Sequence, residues 1–170
     1  MKSILETCVP RKDIVEGNFN PEVFTASLRQ VVEHYRTKSG SLDNLYTNPD
    51  LFFTEGTFPT AGMKAVLREV FGRIAGDTQY PAIHRLETSF GGGKTHTLIA
   101  CTHLAHRGTD LASVASEMLE SALLPEPGSV SVVGIPGDTL PVHQVKGQHL
   151  TPSTLWGEIA FQVGGEALYK

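Results

Sequence analysis

Two stretches in the first half of the chain repeat apolar residues at the three- and four-residue spacing of an α-helix. Asn20 and Pro21 precede the first stretch, as an N-cap and a first-turn proline do, and Thr60 precedes the second as a cap. A loop over 38–48 and a short apolar cluster at 51–53 separate them. We predict two helices that bury these residues: Val23, Phe24, Leu28, Val31, Val32 and Tyr35 in the first, and Met63, Val66, Leu67, Val70, Phe71 and Ile74 in the second.

The second half of the chain predicts an alternation of strands and helices. The first candidate strand covers about 82–88, although polar residues interrupt it, and 130–135 is the strongest strand pattern in the chain. Helical patterns run up to His106, over 110–124, and onward from a cap at 151–153.

This order of elements is typical of an α/β domain with a parallel sheet. The run Gly91-Gly92-Gly93-Lys94-Thr95 lies between the first strand and the next helix, where a phosphate-binding loop would lie. We therefore predict a P-loop NTPase-type parallel sheet, of which two strands are visible. Residues 1–78 would form an N-terminal helical extension, and 79–170 the first part of a nucleotide-binding domain. No further element closes the C-terminal end of this pattern, so we expect a truncated domain.

A glycine-rich loop lies between the first predicted strand and the helix that follows it. Such glycines let backbone amides close around an anion, and the start of a helix adds its dipole. Lys94 can reach the β- and γ-phosphates of ATP, and the Thr95 hydroxyl can bind Mg²⁺. We predict that ATP and Mg²⁺ bind to Gly91, Gly92, Gly93, Lys94, Thr95 and His96. His96 would contribute its backbone N–H.

One position departs from the full phosphate-loop pattern. Thr88 stands where that pattern has a glycine, and its Cβ resists a positive φ. Gly91 and Gly92 can supply the flexibility instead. The structural alternative is a glycine-rich turn into an ordinary helix. The strand-to-helix context favours the phosphate loop.

An acidic residue that would activate water is hard to find in the sequence. Asp138 follows the second predicted strand, but Pro136 and Gly137 intervene and no second acid is adjacent. We interpret Asp138 as a turn residue. The catalytic residues are therefore unknown, and we expect the hydrolytic acid to be missing from this segment.

Three further groups each allow a structural and a functional interpretation. Cys101, His103 and His106 lack the spacing of a tetrahedral metal set, so we favour solvated or core histidines. Arg85 and Glu87 are interpreted as an ion pair rather than as sensors of bound nucleotide. Phe58 could line an adenine pocket, but packing in the core is the preferred interpretation.

The amino-acid composition restricts the classes of protein to which the chain can belong. Lys and Arg total 14 against 18 Asp and Glu, which does not indicate a nucleic-acid surface. The two cysteines, Cys8 and Cys101, indicate reduced thiols. No apolar run is long enough for a bilayer, and charged residues interrupt the N-terminus. We expect a cytoplasmic protein that does not bind a membrane.

Three stretches, 84–97, 58–63 and 154–160, are similar to a family of large AAA-like ATPases known as domain of unknown function 499. The resemblance implies that Thr88 and the polar strand are normal for the family. It also implies that members are far longer than this chain and carry their acidic motif beyond Lys170. Family members accompany DNA methyltransferases and helicases in phage-defence gene sets. This context implies such proteins as partners and a DNA-directed role, with direct contact to nucleic acid left open. Further copies of the chain, in a homo-oligomer at full length, are another candidate partner.

Three functions follow from these observations. The leading hypothesis is the N-terminal part of an ATPase whose intact form hydrolyses ATP. The alternatives are a regulatory module that binds ATP without efficient turnover, and a phosphotransferase. We expect this chain alone to bind nucleotide weakly and not to hydrolyse it at a useful rate.

Overall fold

The computed structural model of the chain describes residues 8–10, 12–18, 25–38, 44–87, 91–135, 137, 143–145 and 148–170. Most of the secondary structure in these residues is helical. The α-helices are α1 (Lys12–Val15), α2 (Leu28–Thr37), α3 (Pro49–Thr54), α4 (Ala61–Ile74), α5 (Lys94–Arg107) and α6 (Leu155–Tyr169). Two 3-10 helices cover Gly108–Leu111 and Ser121–Leu123, and the strands are β1 (His143–Val145) and β2 (Gln148–Leu150).

Helix α5 lies at the centre of the hydrophobic core. It packs against α2, α4 and the 3-10 helix that follows it. Burial of each large apolar side chain contributes about 1.5–3 kcal/mol. This one core includes residues from both of the predicted domains, 1–78 and 79–170. The division of the chain into these two domains stays a prediction. Its largest fully buried apolar side chains are Val31, Phe52, Leu67, Phe71, Ile99, Leu104 and Leu111.

The two helices predicted in the first half of the chain differ in outcome. The second is confirmed as α4, because Thr60 Oγ1 accepts the Met63 amide at 3.3 Å and the helix ends at Ile74. Ile74 itself, which we predicted to be buried, is 42% exposed. The first begins later than predicted, since 25–27 is not helical and Ser27 caps α2. The predicted cap at 20–21 lies outside the described residues.

Helix α3 was not predicted from the sequence. Asn48 caps it, accepting the amides of Asp50 and Leu51 at 3.0 and 3.3 Å, and Pro49 occupies the first turn. This Asn-Pro pair is a helix-start signal in a place where we expected a loop followed by an unassigned cluster. The helix buries Phe52 and Phe53 in the core.

The predicted parallel sheet is wrong. In the described residues, β1 and β2 form one short antiparallel pair, and neither 82–87 nor 130–135 belongs to a sheet. The first of these segments lies on the surface, where the Ile83 side chain is 86% exposed. In the second, the Gly134 amide bonds to the side chain of Gln162 rather than to a neighbouring strand. Extended backbone becomes a sheet only where a partner strand pairs with it.

The helix predicted over 110–124 is also wrong. This segment contains hydrogen-bonded turns between the two 3-10 helices, and Ser116 Oγ donates to the Ser113 carbonyl oxygen. Serine side chains that bond to nearby backbone compete with a regular helix. The apolar positions are nevertheless in the core, with Leu111, Ala115 and Met118 buried.

The last predicted helix is confirmed as α6. Its cap is Thr154, whose Oγ1 accepts the Gly157 amide at 3.0 Å, rather than a residue of 151–153. A break at Gly165, with φ 64° and ψ −155°, interrupts the helix near its end.

Candidate functional site

The glycine-rich loop leads directly into α5, as predicted. Gly91 and Gly93 have φ of 80° and 75°, in the left-handed region that favours glycine. Gly93 is the N-cap residue, and the helix begins at Lys94. The local sequence therefore specifies both the turn and the start of the helix.

Among the described residues, no side chain caps the start of α5. Gly93 has no side chain, so it cannot accept the first-turn amides of the helix as serine or asparagine would. The first intrahelical bond runs from the Thr97 amide to the Gly93 carbonyl oxygen, at 2.9 Å. The preceding amides, together with the helix dipole, form the kind of backbone site that binds anions.

A cavity of about 420 Å³ lies beside this loop. Its volume is within the range of small-molecule sites, about 300–1,000 Å³. The loop and the start of α5 supply one part of the lining, and the start of α4 supplies most of the rest. The lining residues are Phe58, Thr60, Gly62, Met63, Val66, Leu86, Gly91, Gly92, Gly93, Lys94, His96 and Thr97.

Two helix N-termini therefore face one cavity. Gly93 and Lys94 begin α5, and Thr60 and Gly62 lie at the start of α4. Each helix start carries a partial positive charge, to which the Lys94 ammonium adds a full one. Helix starts and a lysine side chain are groups that commonly bind anionic ligands.

Two glycines of the loop border open space in the part of the chain that the structure describes. A Cβ added to Gly91 or to Gly93 would meet no heavy atom within 4 Å. Both glycines are exposed. The conformation of the loop, and not packing against neighbouring protein, thus accounts for these two glycines.

The predicted binding residues are only partly brought together. Gly91, Gly92 and Gly93 line the cavity with the half-buried Lys94 and with His96. Thr95 is exposed and is not among the lining residues, so its role as the Mg²⁺ ligand stays a prediction. Thr97, which we did not predict, lines the cavity and donates from Oγ1 to the Gly93 carbonyl oxygen at 3.0 Å.

The imidazole of His96 is held by its own neighbours. Its Nε2 lies 2.8 Å from Thr57 Oγ1, and the ring stacks on Phe52 with centroids 4.6 Å apart. Burial lowers the pKa of His96, so the ring is neutral at pH 7. His96 therefore adds no positive charge to the cavity, and its backbone N–H is the group it can offer.

Phe58 lies at the cavity and not in the core. Its side chain is 80% exposed, which makes the interpretation as a core aromatic wrong. It belongs to the segment that precedes α4, and it lines the cavity with Thr60. An exposed aromatic ring beside a ligand-sized cavity is available to contact a ligand.

His103 is a core histidine, in agreement with the structural interpretation. It is fully buried, its Nε2–H donates to the Tyr46 carbonyl oxygen at 2.9 Å, and Nδ1 accepts the Tyr35 hydroxyl proton at 2.7 Å. Burial lowers the pKa of His103 to about 4. Both ring nitrogens thus form hydrogen bonds to other groups of the protein.

The two other predicted metal candidates on α5 also have structural surroundings. The His106 ring stacks on Tyr35 with centroids 4.0 Å apart. Burial raises the pKa of the Cys101 thiol to about 11, which keeps it protonated at neutral pH. In the part of the chain that the structure describes, no three potential metal ligands form a group.

The ion-pair interpretation of Arg85 and Glu87 is confirmed. Arg85 Nε lies 2.5 Å from Glu87 Oε1, and both side chains are mostly exposed. Solvent-exposed pairs of this kind contribute little stability. Asp138 lies outside the described residues.

A second polar cluster, which the sequence analysis missed, is buried between α2, β1 and α6. Arg36 Nη1 donates to His143 Nδ1 at 3.1 Å, and His143 Nε2–H donates to Glu158 Oε2 at 2.8 Å. The Gln162 amide donates to Glu158 Oε1 and to the Gly134 carbonyl oxygen, at 2.6 and 2.9 Å. His143 and Glu158 are almost completely buried. These side chains satisfy one another, which gives the cluster a structural role.

The fold and the site define a mostly helical domain in which a glycine-rich loop opens a helix beside a ligand-sized cavity. The sequence pattern of the DUF499 N-terminal domain matches residues 9–169. The chain belongs to this family, which confirms the family inferred from its sequence, while the link to AAA-like ATPases stays a prediction. No curated protein and no solved structure matches it. In the described residues, no helix is long and apolar enough to span a membrane.

Proposed function

We propose that this domain binds ATP at the loop formed by residues 91–96. The observation that carries the proposal is the uncapped, glycine-initiated start of α5 beside a cavity of about 420 Å³. Backbone amides of the loop would hold the phosphates, with Lys94 on the β- and γ-phosphates. Thr95 would bind Mg²⁺, a role supported by its place next to Lys94 in the sequence.

Hydrolysis in the intact protein is the second part of the proposal. It is supported by the resemblance to AAA-like ATPases, which also supports partners from DNA modification or helicase systems and assembly with further copies. The two cysteines are both free thiols, which supports a cytoplasmic location.

Binding without turnover is the alternative function for the chain of 170 residues. Among the described residues that line the cavity, none is acidic. Activation of a water molecule for attack on phosphate needs a residue that positions it, and phosphotransfer needs a similar group for the acceptor. The described lining therefore favours a nucleotide-binding module over a self-sufficient ATPase or a phosphotransferase.

Calorimetric titration with Mg-ATP tests the binding proposal. We expect the wild-type chain to bind and Lys94→Ala to bind at least 100-fold more weakly, since it removes the full positive charge at the cavity. Lys64→Ala is the matched control, because Lys64 is an exposed lysine of α4 that does not line the cavity. Equal affinities for wild type and Lys94→Ala would rule out the proposed site.

Phosphate release measured on the same samples tests the distinction between binding and turnover. We expect bound ATP to remain intact over many hours. Sustained phosphate release that Lys94→Ala abolishes would instead assign hydrolysis to these residues.

A further inference from the structure

The cavity lining divides into two chemical parts. The loop and the start of α5 supply glycines, Lys94 and backbone amides, which suit phosphate. The other part of the lining is apolar, and it comes from the segment before α4, the buried side of α4 and residue 86. Its residues are Phe58, Met63, Val66 and Leu86.

Phe58 differs from the other apolar lining residues in its exposure. Met63 is 7% exposed and belongs to the core, whereas Phe58 is 80% exposed. A large aromatic side chain gains little stability from such a position. A flat π-system that covered it would remove the exposed ring from water.

The apolar part of the lining offers few groups that could read the polar edge of a base. Thr60 supplies its one hydroxyl, and that oxygen already accepts the Met63 amide as the helix cap. Recognition there would depend on stacking and apolar contact rather than on a pattern of donors and acceptors. Stacking on an aromatic side chain tolerates different bases and contributes a substantial part of the affinity.

We propose that Phe58 is the base-binding residue of this site and gives it a preference for purine over pyrimidine nucleotides. The inference rests on the proposed binding of triphosphate at residues 91–96. The purine ring system presents the larger face to Phe58. We expect weak discrimination between adenine and guanine, because the apolar part of the described lining offers only the Thr60 hydroxyl to their polar edges.

Competition titrations with Mg-ATP, Mg-UTP and Mg-tripolyphosphate test this assignment. We expect the wild-type chain to bind ATP about tenfold more tightly than UTP. Phe58→Ala should weaken ATP binding about tenfold and make the affinities for ATP and UTP similar. Its affinity for tripolyphosphate should be unchanged. Phe58→Trp, which keeps a stacking surface, should retain the purine preference.

Trp156→Ala is the matched control, because Trp156 is also 80% exposed and does not line the cavity. Both substitutions are at exposed positions, so unfolding midpoints should stay close to wild type. Unchanged ATP affinity in Phe58→Ala, or equal wild-type affinities for ATP and UTP, would overturn the role of Phe58. If tripolyphosphate binds as tightly as ATP, the phosphate site stands and the base assignment fails. If neither binds, the proposed function fails as well.

Discussion

The two ends of α5 both carry a glycine with positive φ, but the surroundings of the two residues differ. Gly108 has φ 45°, and a Cβ there would lie 1.8 Å from the Pro125 carbonyl oxygen. Gly93 has φ 75°, and a Cβ there would meet nothing within 4 Å. One glycine is required by close packing of the backbone, and the other faces open space.

The two ends of α5 also differ in their hydrogen bonds. At the C-terminus, the Gly108 amide bonds to Leu104, and the Gly128 amide bonds to the His106 carbonyl oxygen at 3.1 Å. The protein therefore satisfies carbonyl groups at this end by itself. At the N-terminus no side chain of the described residues caps the helix. Neighbouring protein groups thus complete the C-terminal end of α5, and the N-terminal end is where we propose that a ligand binds.

Gly108→Ala should have the largest effect on stability. Its Cβ would collide with backbone that cannot rotate away, in a conformation that alanine also disfavours, so we expect a loss of about 3 kcal/mol or more. Urea unfolding measures the loss. Nucleotide affinity of the folded fraction should remain close to wild type. A loss below about 1 kcal/mol would show that this end is not packed as described.

The middle of α5 should make stability depend on pH through His103. In the unfolded chain this histidine takes up a proton near pH 6.5, but in the folded protein only near pH 4. The unfolded state therefore binds more protons between these values, and stability falls as the pH falls through this window. The shift corresponds to about 3 kcal/mol between pH 7 and pH 4.

Unfolding free energies of wild type and His103→Gln across this range isolate the contribution, because the carboxylates titrate in both proteins. We expect the wild type to lose about 3 kcal/mol more than the variant over the same change in pH. Parallel pH profiles would contradict the buried, neutral state of His103.

Gly93→Ala should have a smaller effect on stability and a marked effect on binding. A left-handed alanine costs about 1 kcal/mol, and the new Cβ enters the space proposed for phosphate. We expect ATP affinity to fall at least tenfold. Gly76→Ala is the control, because Gly76 has φ 102° and equally open surroundings but lies at the far end of α4. If Gly93→Ala and Gly76→Ala bound ATP with similar affinities, the proposed ligand site at the start of α5 would be contradicted.

Capping residues and glycines in the sequence predicted several helix ends correctly, because such signals act within one turn of the chain. Thr60 and Gly93 mark the starts of α4 and α5 in the sequence, and Gly108 marks the end of α5. The loop that forms the candidate site could be recognised for the same reason.

The sequence was less informative where distant partners decide the structure. The segment over 82–87 resembles a strand but finds no partner strand among the described residues. Arg36 and His143 are 107 residues apart, and His143 meets Glu158 through the fold. No spacing rule relates such positions. Phe58 was assigned to the core because a pattern of apolar residues does not reveal which of them remain exposed.

Backbone amide chemical shifts recorded during titration with Mg-ATP test the central claim most directly, since they compare both ends of α5 in one experiment. We expect the largest changes at residues 91–96, with the amides of residues 107–109 almost unchanged. Largest changes at the C-terminal end, or no localised change at saturating nucleotide, would contradict the assignment of the glycine-rich start of α5 as the ligand site.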